Sequence, residues 1–227
     1  MPTNGTSNLQ DFFSAVLFDM DGTLVDSEPM WLISEKELMG RYGVQWTQED
    51  QSYCLGGPLD RVGRYMSDLA KGAESGPYFT QEIIALMAQR LSTGAPIMPG
   101  AQELINELRQ LSVPMALVSA SPRVLVDAVL SNFLDHPFEI SISSSEVTKT
   151  KPDPEGYIKA AKALNVDISN CLILEDSATG VSAAQNSGAF VLAIPHLVPI
   201  QPNSRTHIVD SLEVCSRSYL EELYQTW

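Results

Sequence analysis

Ala15-Val16-Leu17-Phe18-Asp19-Met20-Asp21-Gly22-Thr23 carries an apolar run straight into two acids, a glycine and a threonine. Val16, Leu17 and Phe18 favour a pleated, buried setting, so the stretch predicts a central strand of an α/β sheet. A carboxylate at the buried end of such a strand is costly unless a cation or hydrogen-bond donors satisfy it. Asp19 and Asp21, spaced i, i+2, straddle the turn where the strand ends, and Gly22 lets the backbone leave sharply. A divalent cation together with a phosphate accounts for that arrangement. Packing alone does not, and the bland alternative is a strand followed by an acidic turn that caps the next element.

Three more stretches end in polar chemistry. Met115-Ala116-Leu117-Val118 runs into Ser119-Ala120-Ser121, and Leu172-Ile173-Leu174 runs into Glu175-Asp176-Ser177. Between them, Lys149-Thr150-Lys151-Pro152-Asp153-Pro154 reads as a loop opening a helix. In open parallel sheets, ligand groups gather at the carboxyl ends of strands near the point where strand order reverses. Ends carrying Asp/Asp, Ser, Lys and Glu/Asp therefore predict one converging site rather than four unrelated loops.

With these residues in that order, the chain resembles the haloacid dehalogenase (HAD) superfamily of phosphotransferases, over nearly its whole length from about Ala15. The four motifs are Asp19-Met20-Asp21-Gly22-Thr23, Ser119, Lys151 and Glu175-Asp176. The continuation Leu24-Val25-Asp26-Ser27-Glu28-Pro29 is similar to the sugar-phosphate phosphatases and β-phosphoglucomutases. Glu28-Pro29-Met30-Trp31 looks most like the phosphatases of 2-deoxyglucose 6-phosphate and hexitol phosphates.

The resemblance implies a magnesium-dependent phosphatase acting on a small phosphorylated metabolite, a sugar or polyol phosphate. Asp19 is then the nucleophile that forms an aspartyl-phosphate, and Asp21 protonates the leaving alkoxide and later deprotonates water. Thr23 fixes the turn. Asp19, the backbone carbonyl of Asp21, and Asp176 are the expected magnesium ligands, with Glu175 behind them holding a metal-bound water. A helix N-cap is the structural alternative for Glu175-Asp176. Ser119 and the Ala120 N–H are expected on phosphoryl oxygens, while Ser121 reads as the capping serine. Lys151 neutralises nucleophile and phosphate, and Lys149 is the weaker candidate. Arg61, in Leu55-Gly56-Gly57-Pro58-Leu59-Asp60-Arg61, either grips the substrate or is a surface arginine on the next helix. Glu28 and Trp31 are expected at the pocket, Trp31 alternatively in buried core. Trp46, His136, His196 and His207 receive no functional role.

Similar mutases carry a histidine where this chain has Trp31, and a later lysine where none lies between Lys71 and Lys149. Both departures disfavour a mutase. Dehalogenases and phosphonate hydrolases lack the second acid of the first motif, so Asp21 argues against them. A silent binding protein on the same fold remains a different class of reading, since fold alone does not license function.

Six strands are expected to begin near Ala15, Met115, Glu139, Cys171, Phe190 and Thr206, alternating with helices into a doubly wound parallel α/β sheet. Ala101, Leu104, Ile105 and Leu108 form one helix face. Another helix is predicted from Pro122 to Leu130 behind an N-cap Ser121, and a third from Pro154 behind Asp153. The helix after Ser177 ends near Gly188, and Ser218 to Trp227 is a last helix in which Trp227 has no assignable role. Residues 29–96 contain helical patterns (31–42, 59–69, 81–91) and no strand, which predicts an inserted small helical cap. The core is then 13–28 plus 97–227, and residues 1–12 form a polar N-terminal tail without the features of a signal peptide.

The 227 residues suffice for such a core and cap. A formal charge of −14, from 14 basic and 28 acidic residues, makes nucleic acid an unsuitable partner. No apolar run approaches a membrane span. Cys54, Cys171 and Cys215 are odd in number and widely spaced, which points to a reduced, cytoplasmic setting. A capped domain of this size is expected to act as a monomer.

Overall fold

The computed structural model describes residues 12–195, 200 and 203–227, so His196 and residues 1–11 of the predicted tail lie outside the described residues. In chain order the elements are β1 (Ala15–Phe18), α1 (Glu28–Gly40), α2 (Gln48–Cys54), α3 (Leu59–Leu69), α4 (Gly76–Ser92) and α5 (Ala101–Gln110). There follow β2 (Met115–Val118), α6 (Arg123–Leu130), β3 (Ile140–Ile142), α7 (Glu155–Ala163), β4 (Cys171–Glu175), α8 (Ala178–Ser187), β5 (Phe190–Ala193), β6 (Thr206–Ile208) and α9 (Arg217–Thr226).

The strands form one sheet in the order β3-β2-β1-β4-β5-β6, and every pairing is parallel. All six begin within one residue of their predicted starts. β1 lies between β2 and β4, with Val16 opposite Met115 on one side and Leu172 on the other. Its four residues are all buried, as a parallel sheet covered on both faces requires. Ala15, Leu17, Ala116, Val118, Cys171 and Ile173 pack on one face with Tyr157 and Ala160 of α7 and Ala183 and Ala184 of α8. Because Ala15 and Leu17 are two apart, they share that face, while Val16 and Phe18 turn to the other.

The chain divides into two compact units: one holds residues up to 25, 97–123 and 135–227, the other 26–96 and 124–134. The second unit thus starts three residues before the sequence places the cap and gains a second segment containing most of α6. Within it, the Asn132 side-chain amide donates to the Leu91 carbonyl at 2.8 Å, tying the two segments together. That unit is helical around a core of Leu38, Met39, Val62, Met66, Phe79 and Ile83, against which Trp31 also packs. Helix α2 has no counterpart in the predicted pattern. It is started by a capping box in which the Thr47 hydroxyl accepts from the Asp50 N–H and the Asp50 carboxylate accepts from the Thr47 N–H.

This helical unit buries two acids, Glu35 and Asp50. Glu35 is 4 % exposed and accepts a hydrogen bond from the Trp46 Nε1–H at 3.0 Å, which gives Trp46 its structural place. Burial, with smaller contributions from Glu28 and Asp50 against the Trp46 bond, raises the Glu35 carboxyl to about 7. A carboxyl whose folded value lies above its unfolded one binds the extra proton only when folded. Its ionisation therefore removes stability as pH rises from about 4.5 to about 7. Glu35→Gln keeps an acceptor for Trp46 and is expected to be more stable than wild type at pH 8 by up to about 3 kcal/mol, and much less so at pH 5. Urea midpoints at the two pH values check this; an equal difference at both would mean Glu35 is not the titrating group.

Local details depart from expectation elsewhere. α6 begins at Arg123, without a Ser121 cap. α7 begins at Glu155 behind Pro154, although the Asp153 carboxylate still accepts the Glu155 N–H at 3.0 Å. Phe12, placed in the tail by its neighbours, is buried and meets Phe13 edge-on. Trp227 stacks flat on Phe190, with centroids 4.8 Å apart, and the Arg205 guanidinium also lies over the Phe190 ring at 3.7 Å. His136 is held by the Phe138 carbonyl at 2.7 Å, and His207 meets the Tyr219 ring edge-on. Cys54, Cys171 and Cys215 are buried free thiols. Among the described residues no helix is long and apolar enough to cross a membrane.

Candidate active site

The carboxyl ends of β1, β2 and β4 bring their polar residues together. Asp19 follows β1 directly, and its N–H donates to the Leu174 carbonyl of β4 at 3.0 Å. The chain then turns through Gly22, whose φ of +85° suits a residue without Cβ. A Cβ there would also overlap the Asp176 carboxylate. The Gly22 N–H closes the turn on the Val25 carbonyl at 2.8 Å, and the Thr23 hydroxyl reaches Asp176 Oδ1 at 3.5 Å.

Lys151 is the cation of the cluster. Its ammonium donates to Asp19 Oδ1, to Glu175 Oε1 at 2.6 Å and to the Val118 carbonyl at 3.0 Å. All three of its protons are thereby used, and its side chain is 9 % exposed. Burial alone would lower the ammonium, but the Asp19 and Glu175 carboxylates hold it above the ordinary lysine value. Lys149 instead faces Asp153 at 3.7 Å, largely in solvent.

Glu175 is fully buried, and its neighbours take both carboxylate oxygens. Oε1 accepts from Lys151 and from the Tyr157 hydroxyl at 2.7 Å; Oε2 accepts from the Ser177 N–H and hydroxyl at 3.3 and 3.2 Å. α8 approaches so closely that a Cβ at Gly180 would overlap this carboxylate. The N-cap of α8 is Ser177, whose hydroxyl accepts the Gly180 N–H, so neither Glu175 nor Asp176 caps the helix. Tyr157 is a site residue the sequence reading lacks. It is 1 % exposed, lies under the Lys151 ammonium at 4.9 Å, and its phenol is pushed upward by burial and by Glu175.

Asp19, Glu175 and Asp176 each offer a carboxylate oxygen, and these lie within 4.8 Å of one another. Burial and then the Glu175 charge raise Asp19 well above the usual carboxylate range. The same two causes raise Asp176 to about 7. One lysine therefore does not offset the negative charge gathered here. A hard divalent cation, which favours carboxylate oxygens, fits this donor set. With both Glu175 oxygens engaged by protein donors, Asp19 and Asp176 are the better placed pair to hold it.

On the other side, Asp21 Oδ2 accepts from the Ser121 hydroxyl at 2.9 Å and from the Ser119 hydroxyl at 3.4 Å. Ser119 Oγ in turn accepts the Ser121 N–H at 2.9 Å. Ser119 and Ala120 thus stand beside Asp21 on the turn after β2, while Ser121 bonds to an acid rather than capping α6.

Arg61 belongs to the helical unit. Its Nη2 donates to the Tyr53 carbonyl at 2.8 Å, and the guanidinium lies over the Tyr53 ring at 5.1 Å.

Residues 16–194 match the model of the haloacid dehalogenase-like hydrolases. The chain belongs to this family. It is 31 % identical over 188 residues to hexitol phosphatase B of Escherichia coli strain K12, covering 80 % of this chain and 83 % of that one. It is 29 % identical over 225 residues to the bifunctional riboflavin kinase/FMN phosphatase of Arabidopsis thaliana. That match takes in 98 % of this chain but spans only 58 % of the relative's length. A HAD hydrolase from Entamoeba histolytica superposes with a TM-score of 0.80 at 23 % identity, over 93 % of this chain and 99 % of that one. At that identity the superposition speaks for the HAD fold, an α/β core with a parallel sheet.

Proposed function

We propose that this HAD hydrolase is a magnesium-dependent phosphoric monoester hydrolase acting on a small sugar or polyol phosphate through an aspartyl-phosphate on Asp19. The observation that carries the reading is the buried Asp19 carboxylate bonded to the Lys151 ammonium, with a second acid, Asp21, two residues on along one turn. The similarity to a hexitol phosphatase supports the substrate class.

In the first half-reaction an Asp19 oxygen forms a bond to phosphorus and the bond to the ester oxygen breaks. Asp21 gives its proton to that departing oxygen, so a neutral alcohol leaves. In the second half, Asp21 takes a proton from a water whose oxygen bonds to phosphorus. The Asp19–phosphorus bond breaks, which restores both carboxyl groups and releases inorganic phosphate. Ser119 and the Ala120 N–H hold phosphoryl oxygens and Lys151 sets its positive charge beside the nucleophile, because charge spread over those oxygens is what transfer must stabilise. Magnesium, held by Asp19, Asp176 and the Asp21 backbone carbonyl, would supply the remaining positive charge. Glu175 fixes Lys151 from behind, and Thr23 steadies Asp176. Arg61 and Glu28 of the helical unit are the proposed substrate-selecting residues, with Trp31 packed against that unit's core.

The test is phosphate release from a panel of hexitol and sugar phosphates, with magnesium or with chelator. Release that requires magnesium and favours one of these esters is the expected result. No release, but conversion of β-glucose 1-phosphate when the bisphosphate is supplied, would replace the reading by a mutase. Silence in both assays would return the binding protein.

A further inference from the structure

We propose that Ser121 is a positioning residue that sets the carboxylate of Asp21 for proton transfer, and that the Arg123–Glu146 pair holds the turn that carries it. The inference rests on the phosphatase reading above and adds two groups to it.

A hydroxyl has one proton to give. The Ser119 proton points toward Asp21 at the long distance of 3.4 Å, and phosphoryl binding would redirect it to a phosphate oxygen. Ser121, at 2.9 Å from the same Oδ2, would keep its bond to the acid. A bond to one oxygen fixes the plane of a carboxylate, and with it the direction in which the other oxygen offers a proton. Effective proton transfer demands that geometry.

The turn from Ser119 to Arg123 is tied to the segment after β3 at several points. The Ser119 N–H donates to the Ile142 carbonyl at 2.9 Å and the Ser144 N–H to the Ser121 carbonyl at 3.1 Å. The Arg123 N–H donates to the Ser145 hydroxyl at 3.2 Å. The Arg123 guanidinium then forks onto Glu146, Nε to Oε1 at 3.0 Å and Nη2 to Oε2 at 2.6 Å. It also reaches the hydroxyl and the carbonyl of Ser141 of β3 at 2.9 and 3.0 Å. Glu146 is itself fixed by the Ser143 N–H and hydroxyl at 2.7 and 2.6 Å. Such a two-pronged, planar grip is one that lysine cannot reproduce. The effect of Arg123 and Glu146 on Asp21 passes through the backbone of the turn that Ser121 shares with Arg123.

The experiment compares two esters in the full-length protein: a hexitol phosphate, whose alkoxide needs a proton to leave, and p-nitrophenyl phosphate, whose nitrophenolate leaves without one. The readout is kcat/KM, which reports the steps through departure of the alcohol. Ser121→Ala is expected to lower kcat/KM for the hexitol phosphate roughly 10- to 100-fold, a part of what a positioned general acid contributes. For p-nitrophenyl phosphate the loss should stay below about 3-fold, and Ser121→Thr should restore the alkyl ester. Arg123→Met is expected to shift the ratio the same way, with Arg123→Lys recovering only part of it. Parallel losses on both esters, or no loss on either, would overturn the inference while leaving the phosphatase reading in place. A wild type that hydrolyses neither ester would remove both.

Discussion

Asp19→Asn is expected to lower phosphate release by roughly 10⁴-fold or more, the scale seen when a covalent nucleophile is removed, without loss of folded stability. The amide keeps the shape of the side chain but cannot form the acyl phosphate. Its effect on stability follows from the electrostatics of the site. Asp19 sits well above the usual carboxylate range because burial, and then the charge of Glu175, work against its ionisation. Ionised, the wild-type carboxylate is a buried charge relieved only in part by Lys151, whereas the variant carries none. Lys151 retains Glu175 and the Val118 carbonyl as partners. Without added metal, the urea midpoint of the variant should therefore equal or exceed that of wild type. Phosphate release within tenfold of wild type would rule out Asp19 as the nucleophile, while a collapsed midpoint would mean it serves mainly to hold the fold.

Lys151→Met should cost both function and stability. Removing a buried cation from its carboxylates typically costs about 3–5 kcal/mol, and losing one preorganised positive contact on the transferring group costs about 10²- to 10³-fold in rate. The sign with pH can be worked out. Lysine held above its ordinary value contributes its full stabilisation below that value, so at pH 6 and at pH 8 the wild type has all of it. The variant keeps Asp19, Glu175 and Asp176 without their counter-charge. Asp176, already raised to about 7, takes up a proton as pH falls, so the deficit should be smaller at pH 6 than at pH 8. Unfolding curves at both pH values, together with kcat/KM, check this. A deficit that grows toward pH 6 would mean the carboxylates are not what Lys151 offsets.

Much of this was legible in the sequence because the core is built from local patterns. Each parallel strand is a short β-branched or leucine-rich run, and β1, β2 and β4 each end in residues whose burial requires a partner. The strand starts and the convergence of Asp19, Asp21, Ser119, Lys151, Glu175 and Asp176 follow from that. The residues that escaped notice are those whose partners are far along the chain. Tyr157 reads as one more apolar residue of a helix until it is found 18 residues from the Glu175 it holds. Ser121 has good local grounds to cap α6, and a contact 100 residues away overrides them. Trp227 had no neighbours to suggest its place on Phe190. Helix α2 is a different case: Thr47-Gln48-Glu49-Asp50 carries a capping-box signal that a search for apolar periodicity passes over.

The strand order also bears on when the protein becomes an enzyme. β1 leads directly into the proposed nucleophile Asp19, yet it must be flanked by a strand that begins at residue 115 and another that begins at 171. Asp19 meets Lys151 across 132 positions and Thr23 meets Asp176 across 153. Contacts so distant in sequence close late, after the loops between them have given up their freedom. A nascent chain made as far as α7 would hold its reactive aspartate without the acids after β4, and would have no complete place to bind a phosphorylated metabolite. Competence would arrive nearly all at once, when β4 takes its place beside β1.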